Sequence, residues 1–165
     1  MKVFLDFDGV ILDTDRVLDS ECVGDRREFV KNYDWFKLMK DDLVINNSLD
    51  YIKSSIYDIH LLSKISSMCE GQAKINFLRS KGILIDINLV PTSIRKCDVV
   101  SARGNVLIDD KIANLDSWVE NGGFGIFFNK DLSDTDMYGK ENTRYKVINS
   151  LSCLIDGIDE FTEDL

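Results

Sequence analysis

The chain has 165 residues and a formal net charge of −9, with 44% hydrophobic and 30% charged residues. This composition predicts one globular domain with room for a small insertion, and it excludes disorder as a description of the whole chain. A protein that coats duplex nucleic acid needs a surplus of Lys and Arg, so no duplex partner is expected. No apolar run reaches membrane-spanning length, and Met1 and Lys2 lead directly into a predicted strand without a signal peptide. A cytoplasmic protein without a membrane partner is therefore expected.

The first predicted strand, residues 3–5, is followed by two carboxylates and a glycine, which are Asp6, Asp8 and Gly9. The apolar run is typical of a strand that is buried on both faces, and Gly9 permits the turn after it. Two carboxylates at a strand end repel each other and lose hydration, so the pair is costly unless a cation neutralises it. The pattern therefore favours a divalent metal site over an ordinary turn.

Residues 14–56 are polar, charge-rich and irregular in their hydrophobic spacing. A helix is predicted over much of 15–31, and Asn47 with Ser48 predicts the cap of another. Residues 33–39 concentrate aromatic side chains. Trp35 and Phe36 are predicted to pack within this segment, with the alternative that they line a slot for a nucleobase.

Strands and helices alternate through the rest of the chain. Apolar runs predict four more strands, at 58–62, 83–90, 106–108 and 124–128. Helices are predicted at 70–81, after residue 110 and at 142–161. In the first of these, Ala73, Phe77 and Leu78 are expected to face inward, and Lys74, Arg79 and Lys81 outward. The alternation predicts an open α/β fold, in which helices flank a parallel sheet.

The cysteines and the single histidine argue against two further kinds of site, a zinc site and a catalytic triad. Four scattered cysteines without a C-x-x-C pair predict reduced, buried thiols and no zinc site. The single histidine, His60, lies in an apolar run and is predicted to pack in the core or at the sheet edge. A catalytic triad that depends on histidine is therefore excluded.

Polar residues are predicted at the carboxyl ends of three strands, where ligands of open parallel sheets bind. Asp6 and Asp8 follow the first strand, Ser63 follows the second, and Asp109 and Asp110 follow the strand at 106–108. These groups are expected to converge on one edge of the sheet. Several carboxylates at one point are suited to Mg²⁺, which binds oxygen ligands and substrate phosphate.

Such a site suits phosphoryl transfer. Asp6 can attack phosphorus as a covalent nucleophile, and Asp8 can protonate the leaving group and later activate water. The Ser63 hydroxyl and the Lys96 ammonium can hold the transferring oxygens. The chain has no G-x-x-x-x-G-K-[ST] motif, so a P-loop is not expected.

The segment Asp6-Phe7-Asp8-Gly9-Val10 resembles the first motif of the haloacid dehalogenase-like superfamily of phosphohydrolases. Leu107-Ile108-Asp109-Asp110 resembles a later motif of that superfamily, and Ser63 and Lys96 lie between the two motifs in the family order. The residues that most resemble the 5′(3′)-deoxyribonucleotidase branch are 108–111, Asn114, Trp118 and 35–38.

The resemblance implies a role for each candidate residue. Asp6 would be the nucleophile and a Mg²⁺ ligand, and Asp8 would be the acid/base that binds the metal through its backbone carbonyl. Asp109 would be a further metal ligand, and Asp110 a supporting acid. Ser63 and Lys96 would hold the phosphate, although Lys64 adds a charge after Ser63 where the family has a small residue or proline. Arg95 or Arg103 are alternatives to Lys96 for the phosphate role.

The resemblance also implies a Rossmann-like core from residues 1–13 and 57–165, with a small helical cap at 14–56 inserted after the first strand. It implies a Mg²⁺-dependent phosphatase, specifically a 5′-nucleotidase, whose partner is a small phosphorylated molecule such as a (deoxy)nucleoside monophosphate. Alternatives are a polynucleotide 3′-phosphatase, a small-metabolite phosphatase and a receiver-like phospho-acceptor domain without turnover.

Overall fold

The structure is a computed structural model that describes residues 1–132 and 144–158, and its centre is a parallel sheet of six strands. In chain order the strands are β1 Lys2–Leu5, β2 Asp58–Ile65, β3 Asp86–Pro91, β4 Val106–Asp109, β5 Phe124–Phe128 and β6 Lys146–Ile148. Their order in space is β3-β2-β1-β4-β5-β6, and every neighbouring pair is parallel. The chain winds outward from β1 in both directions, so the point between β1 and β4 is the topological switch point of a doubly wound fold.

Six α-helices accompany the sheet in the described residues. They are α1 Thr14–Glu21, α2 Arg26–Asn32, α3 Ser48–Lys53, α4 Met68–Ser80, α5 Ile112–Glu120 and α6 Cys153–Asp156. Short 3₁₀ turns occur at Trp35–Leu38, Asp41–Leu43 and Lys96–Asp98. In the part of the chain that the structure describes, no helix is long and apolar enough to cross a membrane.

The sheet is covered on both faces, which explains the unbroken apolar run of β1. Val3 and Leu5 face one apolar cluster, while Phe4 faces a second cluster that contains Trp118. This division follows from the alternation of side chains along a strand. The predicted α/β fold with a parallel sheet and flanking helices is confirmed.

The inserted segment 14–56 lies on the first face of the sheet. Its Leu18 and Trp35 side chains belong to the same buried cluster as Val3 and Leu5. The segment therefore shares its hydrophobic core with the sheet. The single helix predicted over much of 15–31 is instead two helices, α1 and α2, separated by residues 22–25, and the helix predicted after Asn47 is α3. The division into core and cap at residues 13 and 57 remains a prediction.

Several predicted boundaries are wrong. β2 does not stop at residue 62 but continues to Ile65, because its later residues pair with β3 up to the partners Ile65 and Pro91. β3 begins at Asp86 and not at 83, since the residues just after α4 form the turn into the strand. α4 begins two residues before the predicted start, because the Ser67 hydroxyl accepts a hydrogen bond from Glu70 N and caps the helix there.

The predicted closing helix at 142–161 is wrong. Lys146–Ile148 forms β6, which pairs with β5, and only Cys153–Asp156 is helical. The apolar positions that match a helical period also suit a short strand in which β-branched Val147 and Ile148 complete the sheet edge. Gly157 has a φ of +124° directly after the short helix, which ends it. The other described residues of the predicted helix, 144–145, 149–152 and 157–158, are not helical, and residues 142–143 and 159–161 lie outside the described ranges.

The predicted burial of the histidine is confirmed, whereas the predicted burial of the four cysteines is not. All four cysteines are free, but only Cys153 is buried, and Cys69 is exposed. The prediction of uniformly buried thiols is therefore wrong. His60 lies on β2 and is buried, as expected for a core histidine.

Candidate active site

The carboxyl ends of the two central strands bring Asp6 and Asp109 together. Leu5 of β1 pairs with Ile108 of β4, and Asp6 N donates a hydrogen bond to Ile108 O at 3.0 Å. Asp6 is therefore fixed directly beside the last residue of β4, Asp109. Both side chains are buried, which requires that their charges be compensated locally.

Lys96 supplies much of that compensation from the 3₁₀ turn after β3. Its Nζ lies 3.1 Å from Asp6 Oδ1 and 2.6 Å from Asp109 Oδ2, and the side chain is buried. Burial disfavours the ammonium, but Asp6 and Asp109 outweigh this effect and raise the pKa of Lys96. Lys96 therefore stays charged within reach of the first strand.

The two arginines considered as alternatives to Lys96 lie away from these carboxylates. Arg95 forms a two-pronged pair with Asp98, with distances of 3.0 and 2.7 Å. Arg103 is exposed in the turn before β4, near Gly122 and therefore at the amino end of the sheet. Of the three cations, the structure brings only Lys96 to Asp6.

Asp109 and Asp110 differ in how their oxygens are satisfied. Asp109 Oδ1 accepts from Lys111 N at 2.8 Å, and Asn114 Nδ2 lies 3.1 and 3.0 Å from the two oxygens of Asp109. With Lys96 on Oδ2 as well, Asp109 is fully occupied. Asp110 Oδ1 is buried and has no hydrogen-bond partner among the described residues. A buried carboxylate oxygen without a partner is a feature that needs explanation.

A cation fits this arrangement. Asp6, Asp109 and Asp110 each place one carboxylate oxygen within 4.8 Å of the other two. The donors are all oxygen, which is the preference of Mg²⁺, and the unpartnered Asp110 Oδ1 is free to become a ligand. The residues present are therefore compatible with the expected Mg²⁺.

The environment of Asp110 disfavours its charge when no cation is bound. Burial and the neighbouring Asp6 carboxylate raise the pKa of Asp110 to about 7. Between about pH 4 and pH 7 the folded protein then holds a proton that the unfolded chain has released. The free energy of unfolding of the metal-free protein falls as pH rises through that interval.

We expect Asp110→Asn to stabilise the metal-free protein at pH 7.5 by ~2–4 kcal/mol and to have little effect near pH 4. Thermal melts of both proteins in EDTA between pH 4 and pH 8 measure this difference. Mg²⁺ should raise the melting temperature of the wild type and raise that of the variant much less. Asp131→Asn, at an exposed carboxylate, is the control. If Mg²⁺ raised the melting temperatures of the wild type and of Asp110→Asn equally, the assignment of Asp110 as a metal ligand would be contradicted.

Asp8 lies beyond the end of β1 and is held on both oxygens. Thr14 Oγ1 donates to Asp8 Oδ1 at 2.7 Å, and Lys74 Nζ donates to Asp8 Oδ2 at 2.5 Å. Burial raises the pKa of Asp8 above its ordinary value, against the opposing effect of Lys74. Gly9, with a φ of +76°, makes the turn, and a Cβ at this position would collide with the Asp110 carboxylate. Only glycine fits both conditions.

Two residues near Asp8 differ from their predicted positions. Ser63 was expected after a strand end, but it lies inside β2, is fully buried and has its hydroxyl 3.1 Å from Lys74 Nζ. Lys74 was expected on the outer face of its helix, and it is fully buried. The inward turn of Lys74 is explained by two carboxylates, Asp8 and Glu70, which surround its ammonium. Sequence reasoning missed Lys74, Glu70 and Thr14 as parts of the site.

A cavity of about 310 Å³ opens beside Asp6 and Asp8. Its size lies at the lower end of the range of about 300–1,000 Å³ typical of ligand sites. The inserted segment supplies an apolar wall from Leu18, Val30 and Trp35. Phe36 is half exposed and does not line this cavity, so the structure brings only one of the two predicted aromatics to it.

Several polar and charged groups also line the cavity. From the core these include Lys64, Ser66, Thr92, Asp110 and Lys111, and from the insertion Asp15 and Arg26. Arg26 and Lys111 are paired with Asp15, at 2.6 and 3.5 Å. Ser63 and Lys96 do not line the cavity; they lie behind the carboxylates that do.

Comparisons with solved structures identify the class of fold. A haloacid dehalogenase-like family hydrolase from Xanthomonas campestris matches with a TM-score of 0.62 and 12% identity, over 98% of this chain and 95% of that one. The D,D-heptose 1,7-bisphosphate phosphatase of Burkholderia thailandensis matches with a TM-score of 0.54 and 16% identity, over 94% and 96% of the two chains. The L-2-haloacid dehalogenase of Xanthobacter autotrophicus matches with a TM-score of 0.55 and 10% identity, over 97% and 98%.

The chain therefore has the Rossmann-like fold of the haloacid dehalogenase-like hydrolases, as the sequence resemblance implies. These structural neighbours include both a phosphatase and a dehalogenase, so the shared fold does not by itself choose between phosphorus and carbon chemistry. The sequence matches no protein-family model and no curated protein.

Proposed function

We propose that this chain is a Mg²⁺-dependent phosphomonoesterase that works through an aspartyl-phosphate on Asp6. The observation that carries the proposal is the arrangement at the switch point of the sheet. Asp6 lies beside the buried Lys96 ammonium and near the Asp110 carboxylate, one oxygen of which has no partner among the described residues, while Asp8 lies at the adjoining cavity. The arrangement combines a nucleophile, an acid/base and a metal site at one sheet edge.

The Mg²⁺ would be held by Asp6 and Asp110, with the backbone carbonyl of Asp8 as the family resemblance implies. This assignment exchanges the roles expected from sequence for Asp109 and Asp110, because all of the oxygens of Asp109 are already hydrogen-bonded or paired. Asp109 would instead hold Lys96 in place. When bound, the metal reduces the repulsion between the Asp6 carboxylate and an anionic phosphate.

Asp6 is arranged to attack through one oxygen. Its Oδ1 accepts from Phe7 N at 2.8 Å and lies beside Lys96 Nζ, whereas no described residue donates to Oδ2. A bond forms between Oδ2 and phosphorus while the bond from phosphorus to the ester oxygen breaks. Asp8 gives its proton to that leaving oxygen. The Lys96 ammonium lies behind Asp6 and stabilises, through its pair with Oδ1, the charge that develops as the phosphoryl group is transferred.

The second step releases inorganic phosphate and restores the site. A water oxygen attacks phosphorus of the aspartyl-phosphate, and the ionised Asp8 carboxylate accepts the proton of that water. The bond between Asp6 Oδ2 and phosphorus breaks, so Asp6 returns as a carboxylate. Asp8 ends protonated, ready for the next ester.

The substrate proposed is a (deoxy)nucleoside monophosphate. The apolar wall of Leu18, Val30 and Trp35 supports it, since a nucleobase presents an apolar face while its phosphate needs the polar end of the same cavity. Trp35 is almost wholly buried, and its Nε1 donates to Val30 O at 3.0 Å, which fixes the ring in the wall. Sugar phosphates and other small phosphorylated metabolites are the alternative substrates.

Two other chemistries are less well supported. Displacement of halide from carbon produces an anion that needs no proton, so it would leave Asp8 without its role as the acid of the first step. A receiver-like acceptor of the flavodoxin type has the strand order 2-1-3-4-5. The order here is β3-β2-β1-β4-β5-β6, with Asp6 directly after β1, one of the two central strands.

A panel of substrates tests the proposal. The purified protein is assayed for phosphate release from deoxynucleoside monophosphates, sugar phosphates and 3′-phosphorylated oligonucleotides, with Mg²⁺ or EDTA, and for chloride release from 2-chloropropionate. The expected result is Mg²⁺-dependent release that is fastest with deoxynucleotides. Release from sugar phosphates at the same rate would exclude the nucleotide assignment. Inhibition by single-stranded oligonucleotides would favour the polynucleotide phosphatase, and chloride release without phosphate release would overturn the proposal.

A further inference from the structure

We propose that Lys74 is a positioning residue that holds the Asp8 carboxylate in its working orientation, with Glu70 as its anchor. This inference rests on the proposed function, because it concerns the acid/base of that reaction. It assigns a role to Lys74 and Glu70, a buried ion pair at the cavity edge that the two-step reaction above does not use.

The Lys74 ammonium is enclosed entirely by protein. Its Nζ lies 2.5 Å from Asp8 Oδ2, 2.6 Å from Glu70 Oε1, and 3.1 Å from both Ser63 Oγ and Lys64 O. An ammonium has three protons, so Lys74 can donate at one time to both carboxylates and to one of the two neutral oxygens. The side chain is 0% exposed, and the Trp35 ring covers it with its centroid 4.9 Å from Nζ.

The cluster fixes Asp8 from two different elements. Thr14, the first residue of α1, holds Oδ1, while Lys74 on α4 holds Oδ2. Because each oxygen has its own donor, rotation of the carboxylate would break at least one charge-assisted or buried hydrogen bond. The Asp8 carboxylate, which carries the proton in the proposed reaction, is therefore held at the cavity edge by the protein alone.

Glu70 holds Lys74 in turn. It lies one helical turn before Lys74 on α4, and its second oxygen, Oε2, accepts from Ser66 N at 2.7 Å. The Ser67 hydroxyl accepts from Glu70 N, so this glutamate is locked into the first turn of the helix. A continuous series of contacts thus connects the capped start of α4 to Asp8.

A purely structural role would not need these charges. Ala73, Phe77 and Leu78 of the same helix already pack against the sheet, and all three are buried. A buried ion pair is often no more stabilising than an apolar pair of the same volume. Three charged groups at the cavity edge are therefore better explained by what they do to Asp8 than by stability.

The test compares two esters that differ in their need for an acid. The double variant Glu70→Gln with Lys74→Met removes one charge of each sign, and deoxythymidine 5′-monophosphate and p-nitrophenyl phosphate are the substrates. The alkyl leaving group needs a proton, whereas the nitrophenolate leaves readily without one. Because Asp8 is also the base of the second step for both esters, the rate compared is the release of the leaving group in a single turnover. We expect this rate to fall about 100-fold with the nucleotide and less than tenfold with the aryl ester, with substrate affinity nearly unchanged.

Three comparisons make the result decisive. In an Asp8→Asn background the same double variant should change this single-turnover rate by less than about twofold, because Lys74 acts through Asp8. Lys81→Met, which removes the ion pair between Asp41 and the residue directly after α4, should leave both rates unchanged. If the double variant does not fold, Glu70→Gln alone keeps the Lys74–Asp8 pair and should show a smaller loss with the same ester dependence.

Equal losses on the two esters, an undiminished loss in the Asp8→Asn background, or no loss would overturn the inference. A wild-type protein that hydrolyses neither ester would overturn the proposed function and this inference together. A wild type that is active, with a variant whose ester preference is unchanged, overturns only the role of Lys74.

Discussion

Asp6→Asn is expected to reduce phosphate release by about 1,000-fold or more, because the amide retains the shape of the carboxylate but lacks its nucleophilicity. Asn at this position can still accept a hydrogen bond from Phe7 N, which Asp6 Oδ1 accepts at 2.8 Å. Lys96 also keeps its pair with Asp109. The fold should therefore survive. Phosphate release and thermal melting of the variant measure the two effects.

Asp98→Asn is the matched control for the nucleophile. Asp98 is also an aspartate beyond a strand, but it is exposed and pairs with Arg95 away from the cavity. Its replacement should leave phosphate release within about twofold of the wild type, as expected of a surface substitution. Undiminished turnover by Asp6→Asn would rule out the covalent mechanism.

Lys96→Met is expected to affect activity and stability together. It leaves Asp6 and Asp109 buried at the sheet edge without their shared cation. Removing one partner of a buried ionic group costs ~3–5 kcal/mol, which for a domain of this size lowers the melting temperature by roughly 10 °C. Phosphate release should fall by about 100-fold or more, because the charge of the transferring group loses its ammonium.

Two further variants separate these effects. Lys96→Met combined with Asp109→Asn removes one charge of each sign, so it should recover part of the lost stability and none of the activity. Lys53→Met, at an exposed lysine, should change stability by less than about 0.5 kcal/mol. Full activity in Lys96→Met would show that another cation holds the phosphate.

The sequence predicts the centre of this fold because its local and global signals agree. The apolar run of β1 is buried on both faces, and the acids that follow it need a common location. Parallel strand ends supply that location, so Asp6, Asp8, Asp109 and Asp110 could be grouped before their distances were known. Lys96 could be assigned to the site only from its position in the sequence, between Ser63 and Asp109.

The features that the sequence does not predict depend on tertiary partners. Lys74 appears as one more charge on an amphipathic helix until Asp8 and Glu70 are seen around it. The Ser67-x-x-Glu70 spacing and the Glu70–Lys74 interval of four were the available signals. The different states of Asp109 and Asp110 likewise depend on Lys96 and Asn114, which reach one and not the other.

The most direct test of the central claim is the mass of the protein during turnover. In the proposed mechanism Asp8→Asn lacks the base for the second step, so with p-nitrophenyl phosphate and Mg²⁺ it should retain the phosphoryl group. Mass spectrometry after an acid quench should then show one added phosphoryl group per chain, mapped to Asp6 and absent when Asp6 is also replaced by Asn. Release of nitrophenol with no phosphoryl group on the protein, or with the group on another residue, would contradict the assignment of Asp6 as the nucleophile.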